Sequence, residues 1–166
     1  MKETAKDMKP ILGITMGDPC GIGPEITAKA LARPEAAAIC RPVVIGSAKV
    51  FDKAVNLVNA GLDVHVISNA GEAWFRDRVI DVLDQDIQDL ETLVPGTVDA
   101  RAGDAAFRAV RKAIELVMAG DIDAVITGPL NKEALNLAGW HYSGHTEIFA
   151  ELTGTKSYAM MLAEEH

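Results

Sequence analysis

Short apolar runs alternate with helical patterns along this chain, and that alternation constrains its fold more than any other feature. Residues 10–16 (PILGITM), 42–46 (PVVIG), 63–68 (DVHVIS), 79–83 (VIDVL), 124–127 (AVIT) and 157–163 (SYAMMLA) each read as a strand, the last as a buried one. Helical signals fill the gaps. Pro24 suits a first turn and Glu25 the positive end of a helix that continues through residues 26–32. A second helix spans 48–60 and stops at Gly61. After a turn-rich connection over 96–103, Asp104 reads as the N-cap of an amphipathic helix to residue 119, with Phe107, Val110, Ile114 and Val117 on one stripe and Gly120 ending it. Asn131 caps a helix to 138, and Thr146 or Ser143 caps another to 152. Strands interleaved with helices predict an α/β fold, with a parallel-rich sheet covered on both faces.

Composition narrows the class. The 166 residues are 49% hydrophobic and carry a formal charge of −8. That charge argues against general binding to nucleic acid or an anionic membrane, though not against a local basic pocket. No apolar run approaches the ~20 residues that span a bilayer, and residues 1–9 lack the apolar core of a secretory signal. The expectation is a soluble cytoplasmic protein. Cys20 and Cys40 form no CxxC pattern and read as free thiols.

In a parallel sheet, ligands bind beyond the carboxyl ends of the strands. Three polar loops follow strands here: residues 17–25 (GDPCGIGPE), 127–132 (TGPLNK) and the segment leading into 144–147 (GHTE). All three are expected along one edge. The first is a weak phosphate cradle, matching neither GxGxxG nor GxxxxGK[ST], and Asp18 either orders it or lines a cleft. Lys132 falls in a first helical turn, where a cation opposes the helix dipole, so an anionic neighbour is expected beside it and Asn131. His145 and Thr146 could both donate to oxyanions, with Glu147 orienting the imidazole. His141 and His145 are four apart, but the intervening Tyr142-Ser143-Gly144 is poor helix and a metal pair is not expected. His65 reads as a solvated residue on the outward side of its strand.

Taken together, ITMGDPCGIGPE (14–25), TGPLNKEAL (127–135), GHTEIFAELTG (144–154) and AMMLA (159–163) resemble the 4-hydroxythreonine-4-phosphate dehydrogenase family of pyridoxal-phosphate biosynthesis and its paralogues acting on 4-phospho-D-threonate or 4-phospho-D-erythronate. The resemblance implies a three-layer α/β/α fold like that of isocitrate and isopropylmalate dehydrogenases, incomplete here at the C-terminus. On this reading residues 1–127 begin a first α/β domain and 128–166 start a truncated second. It implies a homodimer that oxidises a phosphorylated hydroxy acid with NAD or NADP and a divalent metal (zinc, magnesium or cobalt), followed by decarboxylation. Such a metal would acidify the alcohol and stabilise the enolate formed as carbon dioxide leaves.

The resemblance also assigns residues. The His-Thr pair of GHTE binds substrate in the family, which falls on His145 and Thr146. The family's three metal-binding histidines lie downstream of AMMLA, and His166 occupies an acidic or neutral family position, so none is expected in this chain. Cys20 and His141 inherit no role. No catalytic residue is assigned within this half, and the chain alone is expected not to turn over substrate. It is also expected to expose a sheet edge and to dissolve poorly. Competing readings are an aromatic cis-dihydrodiol dehydrogenase of the same family, a phosphate acyltransferase, against which GHTE argues, and a non-catalytic fragment.

Overall fold

Five of the six apolar runs form strands: β1 (Ile11–Thr15), β2 (Arg41–Gly46), β3 (Asp63–Ile67), β4 (Val79–Asp84) and β5 (Ala124–Ile126). A computed structural model of the chain describes residues 9–164, so His166 and nearly all of the non-signal reading at the start lie outside the described residues. The sheet has the order β3-β4-β2-β1-β5, and every pairing is parallel. The helices are α1 (Gly23–Leu31), α2 (Pro34–Ile39), α3 (Ala48–Leu57), α4 (Ala100–Ala119), α5 (Lys132–Leu137) and α6 (His145–Thr153).

Strand alternation divides the core in two. On one face Ile14, Val44, Ile80 and Val82 pack against Ala28 of α1 and Val50, Phe51 and Val55 of α3. On the other, Val43, Ile45, Ile67 and Leu83 meet Ala109, Ala113 and Leu116 of α4. The result is three layers, helix–sheet–helix. A third cluster lies beyond α4, where Phe107, Val110 and Ile114 meet Leu135 of α5 and Ile148 of α6. Three residues of the predicted stripe on α4, Phe107, Val110 and Ile114, thus face α5 and α6, while Val117 packs on the sheet side with the small residues one step round the helix.

Several expectations are corrected. α4 begins at Ala100, with the Asp99 carboxylate accepting from Arg101 N–H at 2.8 Å. Asp104 is inside the helix, accepting from Trp140 Nε1 at 3.0 Å. Gly103, a poor helix former, concealed the first turn. Glycine is needed there because any side chain would collide with the Ala134 backbone of α5. α2 went unread because its six residues leave no buried stripe. Gly144, in extended backbone, occupies the N-cap position of α6, so neither Thr146 nor Ser143 caps it. Residues 157–163 form no strand: among the described residues nothing pairs with them, and Met160, Met161 and Leu162 are exposed.

His65 is also not solvated. Its Nδ1 lies 2.7 Å from Oδ1 of buried Asp81, and its ring stacks on Trp74 at 3.6 Å. The segment after β3 folds back across this face, and Asp81 anchors it by accepting from Trp74 N–H (3.1 Å) and Phe75 N–H (2.9 Å).

Candidate active-site rim

Parallel strands end at one edge, and there the polar loops meet. The end of β1 and its loop meet the loop after β5: Asp18 N–H donates to the Pro129 carbonyl at 2.9 Å, and Gly128 N–H to the Thr15 carbonyl (3.2 Å) and side-chain hydroxyl (3.0 Å). Glycine is required at this junction. Gly17 has φ 72°, and a Cβ on it would stand 2.6 Å from the Pro129 carbonyl oxygen; one on Gly128 would stand 2.6 Å from that of Thr15. The third segment joins at the same point: the Gly128 backbone lies against the His145 imidazole and opposes the effect of burial on its pKa.

A groove of about 610 Å³ opens between the first two loops. Asp18, Asn131 and Lys132 line it, together with Cys20, Ile22 and Thr97. His145, Thr146 and Glu147 are not among its lining residues, so the six expected site residues divide three and three. The contribution of Thr97 was hidden in the connection read only as turn-rich; it enters because Gly96 N–H donates to the Cys20 carbonyl at 2.7 Å.

Each side chain has a definite environment. Asp18 is 3% exposed, and its Oδ1 accepts from Cys20 N–H at 2.7 Å. Burial raises its pKa above the usual carboxylate value, against the lowering effect of the Cys20 and Gly21 amides. The Cys20 amide serves the protein's own carboxylate and the Gly21 amide the Asp18 carbonyl at 3.0 Å, so the loop is closed on itself and makes a poor cradle for phosphate. Asn131 caps α5 as predicted, its Oδ1 accepting from Glu133 N–H at 3.0 Å and Ala134 N–H at 3.1 Å. Lys132 is the exposed first residue of α5.

His145 opens α6. Burial lowers its pKa below the ordinary histidine value, with Gly128 opposing. Its Nε2 is buried and has no hydrogen-bond partner among the described residues. Glu147 is exposed and curls back towards Gly144; it forms no hydrogen bond to the imidazole among the described residues, so it does not do the orienting expected of it. His141 precedes the helix and meets Asn136 Oδ1 at 3.1 Å. Among the described residues no three His, Cys, Asp or Glu side chains are placed to hold a metal ion, and no helix is long and apolar enough to cross a membrane.

The rim can therefore offer an imidazole, an amide, a hydroxyl and an exposed ammonium to a polar ligand. The family model for the pyridoxal phosphate biosynthetic protein PdxA matches residues 38–166. A D-threonate 4-phosphate dehydrogenase of Pectobacterium atrosepticum is 44% identical over 157 residues, which cover 93% of this chain and 48% of that protein. The crystal structure of a 4-hydroxythreonine-4-phosphate dehydrogenase from Burkholderia phymatum superposes with a TM-score of 0.90 at 43% identity, over 94% of this chain and 47% of that one. A terephthalate 1,2-cis-dihydrodiol dehydrogenase from Burkholderia xenovorans aligns with a TM-score of 0.64 at 31% identity, over 88% of this chain and 41% of that one. The chain spans about half the length of the relatives it matches.

Proposed function

The chain belongs to the pyridoxal phosphate biosynthetic protein PdxA family, and from that premise we propose that the whole protein oxidises a phosphorylated hydroxy acid, 4-phospho-D-threonate, 4-phospho-D-erythronate or 4-phosphohydroxy-L-threonine, with NAD or NADP. Decarboxylation of the resulting keto acid, a divalent metal and a cytoplasmic homodimer belong to the same proposal. The described residues do not supply a metal site, so no step is assigned to a metal here. Their part is to bind and orient substrate.

One observation carries the reading: the orphaned Nε2 of His145. A buried nitrogen without a partner costs on the order of 1–3 kcal/mol, and a substrate oxygen would relieve that cost. Burial favours the neutral ring at neutral pH, so its Nε2 can hydrogen-bond a substrate oxygen without adding charge. Thr146 follows it at the start of α6, where amide dipoles favour an oxyanion. Lys132, across the rim, supplies the positive charge that a carboxylate or phosphate tail requires. Relatives whose names specify 4-phosphate substrates match at 42–47% identity, the dihydrodiol dehydrogenase at 31%, and this favours the phosphorylated class.

The test is a substrate panel on the whole protein, following NADH or NADPH formation with the three phosphorylated acids and with a carboxylated cis-dihydrodiol. Turnover of a phosphorylated acid is expected. His145→Ala should lower kcat/KM by about 10- to 100-fold, the equivalent of one hydrogen bond to a charged group at ~1.5–3 kcal/mol. Exclusive turnover of the dihydrodiol would reverse the substrate assignment. An unchanged kcat/KM in the variant would remove His145 from the site. The 166-residue chain alone should be inactive; NAD reduction by it with 4-phosphohydroxy-L-threonine and zinc would contradict that division of labour.

A further inference from the structure

The opposite end of the sheet, where the strands begin, holds a second and larger concavity of about 710 Å³. Lys9, Arg33, Arg41, Arg76 and Arg78 line it, against the carboxylates of Asp77 and Asp81. Asp81 is already engaged by His65 and by the Trp74 and Phe75 amides. In a chain of net charge −8, five cations in one groove run against the overall field. None of the five has an ion-pair partner among the described residues.

Three of the five cations, Lys9, Arg41 and Arg76, are held in place. Arg41 Nε donates to the Lys9 carbonyl at 2.8 Å, and its guanidinium lies 5.3 Å from the Phe75 ring centre. Lys9 Nζ donates to the Ala37 carbonyl at 2.6 Å. Arg76 stacks over Trp74 at 4.7 Å. Phe75 and Arg78 sit in left-handed backbone, φ 50° and 61°, and bracket the turn that displays Arg76 and Arg78. Left-handed non-glycine residues are costly and persist where the surroundings impose them. Between the cations the wall is apolar, with Leu31, Pro34 and Leu62.

We propose that this groove binds a small organic phosphate, at the sheet edge opposite the candidate active site. Guanidinium forks match phosphate oxygens two at a time, which favours phosphate over a lone carboxylate. The volume and the apolar wall call for an organic portion beyond the phosphate. Because the site lies a strand's length away from the rim, roughly 16 Å at ~3.3 Å per residue, its fate is independent of the substrate assignment.

Isothermal titration of the whole protein with inorganic phosphate, pyrophosphate and AMP tests this. AMP is expected to bind at least tenfold more tightly than inorganic phosphate. The Arg76→Ala/Arg78→Ala double variant should weaken AMP binding at least tenfold, and Lys132→Ala at the other edge should leave it unchanged. If the double variant does not fold, Arg33→Glu, which alters an exposed loop residue, should show the same loss. Three results would each overturn the proposal: no binding in the millimolar range, equal affinity for AMP and inorganic phosphate (an adventitious ion only), or AMP binding that the groove variants leave unchanged, as binding at the dinucleotide site of the proposed function would be.

Discussion

His145 shows how one residue couples fold and ligand. Its pKa is lowered in the folded protein by burial, so between that value and the unfolded one near 6.5 the unfolded chain holds a proton that the folded chain lacks. Stability therefore rises with pH through this window and is lost as pH falls below about 6.5. Thermal melts between pH 5 and 8 should show that acid-side loss in the parent and a shallower slope in His145→Asn. Parallel curves for the two would mean that the ring titrates normally. At this scale the sequence was uneven evidence. Asn131 could be identified as a cap because its role depends on the three residues after it. The Asp81–His65–Trp74 cluster could not, because it depends on a loop crossing two strands. Glu147 was close in sequence to His145 but folds back over its own helix start, away from the ring.

At the scale of elements, α4 is the piece on which both halves of the described structure rest. Its alanines, Ala102, Ala105, Ala106, Ala109 and Ala113, are at most 1% exposed, and their small size lets a long helix lie close to the sheet. Gly103 does the same for α5 on the adjoining side. Phe107 stacks on Trp140 at 3.8 Å and on Tyr142 at 5.7 Å, holding the connection between α5 and α6. Gly103→Val should drive α5 off α4 at a cost of about 1–3 kcal/mol, the range for overpacking. Hydrogen exchange would then speed up in α5 and α6 while β1, β2 and β4 stay protected; a uniform loss of protection would show the chain to be one cooperative unit. Hydrophobic periodicity revealed that α4 exists and which stripe is apolar. It concealed where α4 begins, because a glycine chosen for contact reads as a break.

Across the whole molecule, β5 closes one side of the sheet as three residues, with Ile126 47% exposed, and among the described residues it pairs only with β1. Tyr158, Met160, Met161 and Leu162 add exposed apolar surface after α6. Open edges of this kind recruit other chains. Ile126→Lys should lower the aggregated fraction of the 166-residue chain in light scattering without altering its circular dichroism; unchanged scattering would place the sticky surface elsewhere. The parallel architecture was legible because its strands are continuous apolar runs. The strand expected over 157–163 was not realised, because composition marks a segment fit for a sheet without supplying a neighbour to receive it. The strand order has a temporal consequence as well. β1 is flanked by β2 on one side and by β5 on the other, and the bond from Ile11 N–H to Asp123 Oδ2 joins positions 112 apart in sequence. On the ribosome, at ~5–20 residues per second, the first strand made waits on the order of ten seconds with one flank bare until its second neighbour emerges. Nascent-chain chaperones would find their target there.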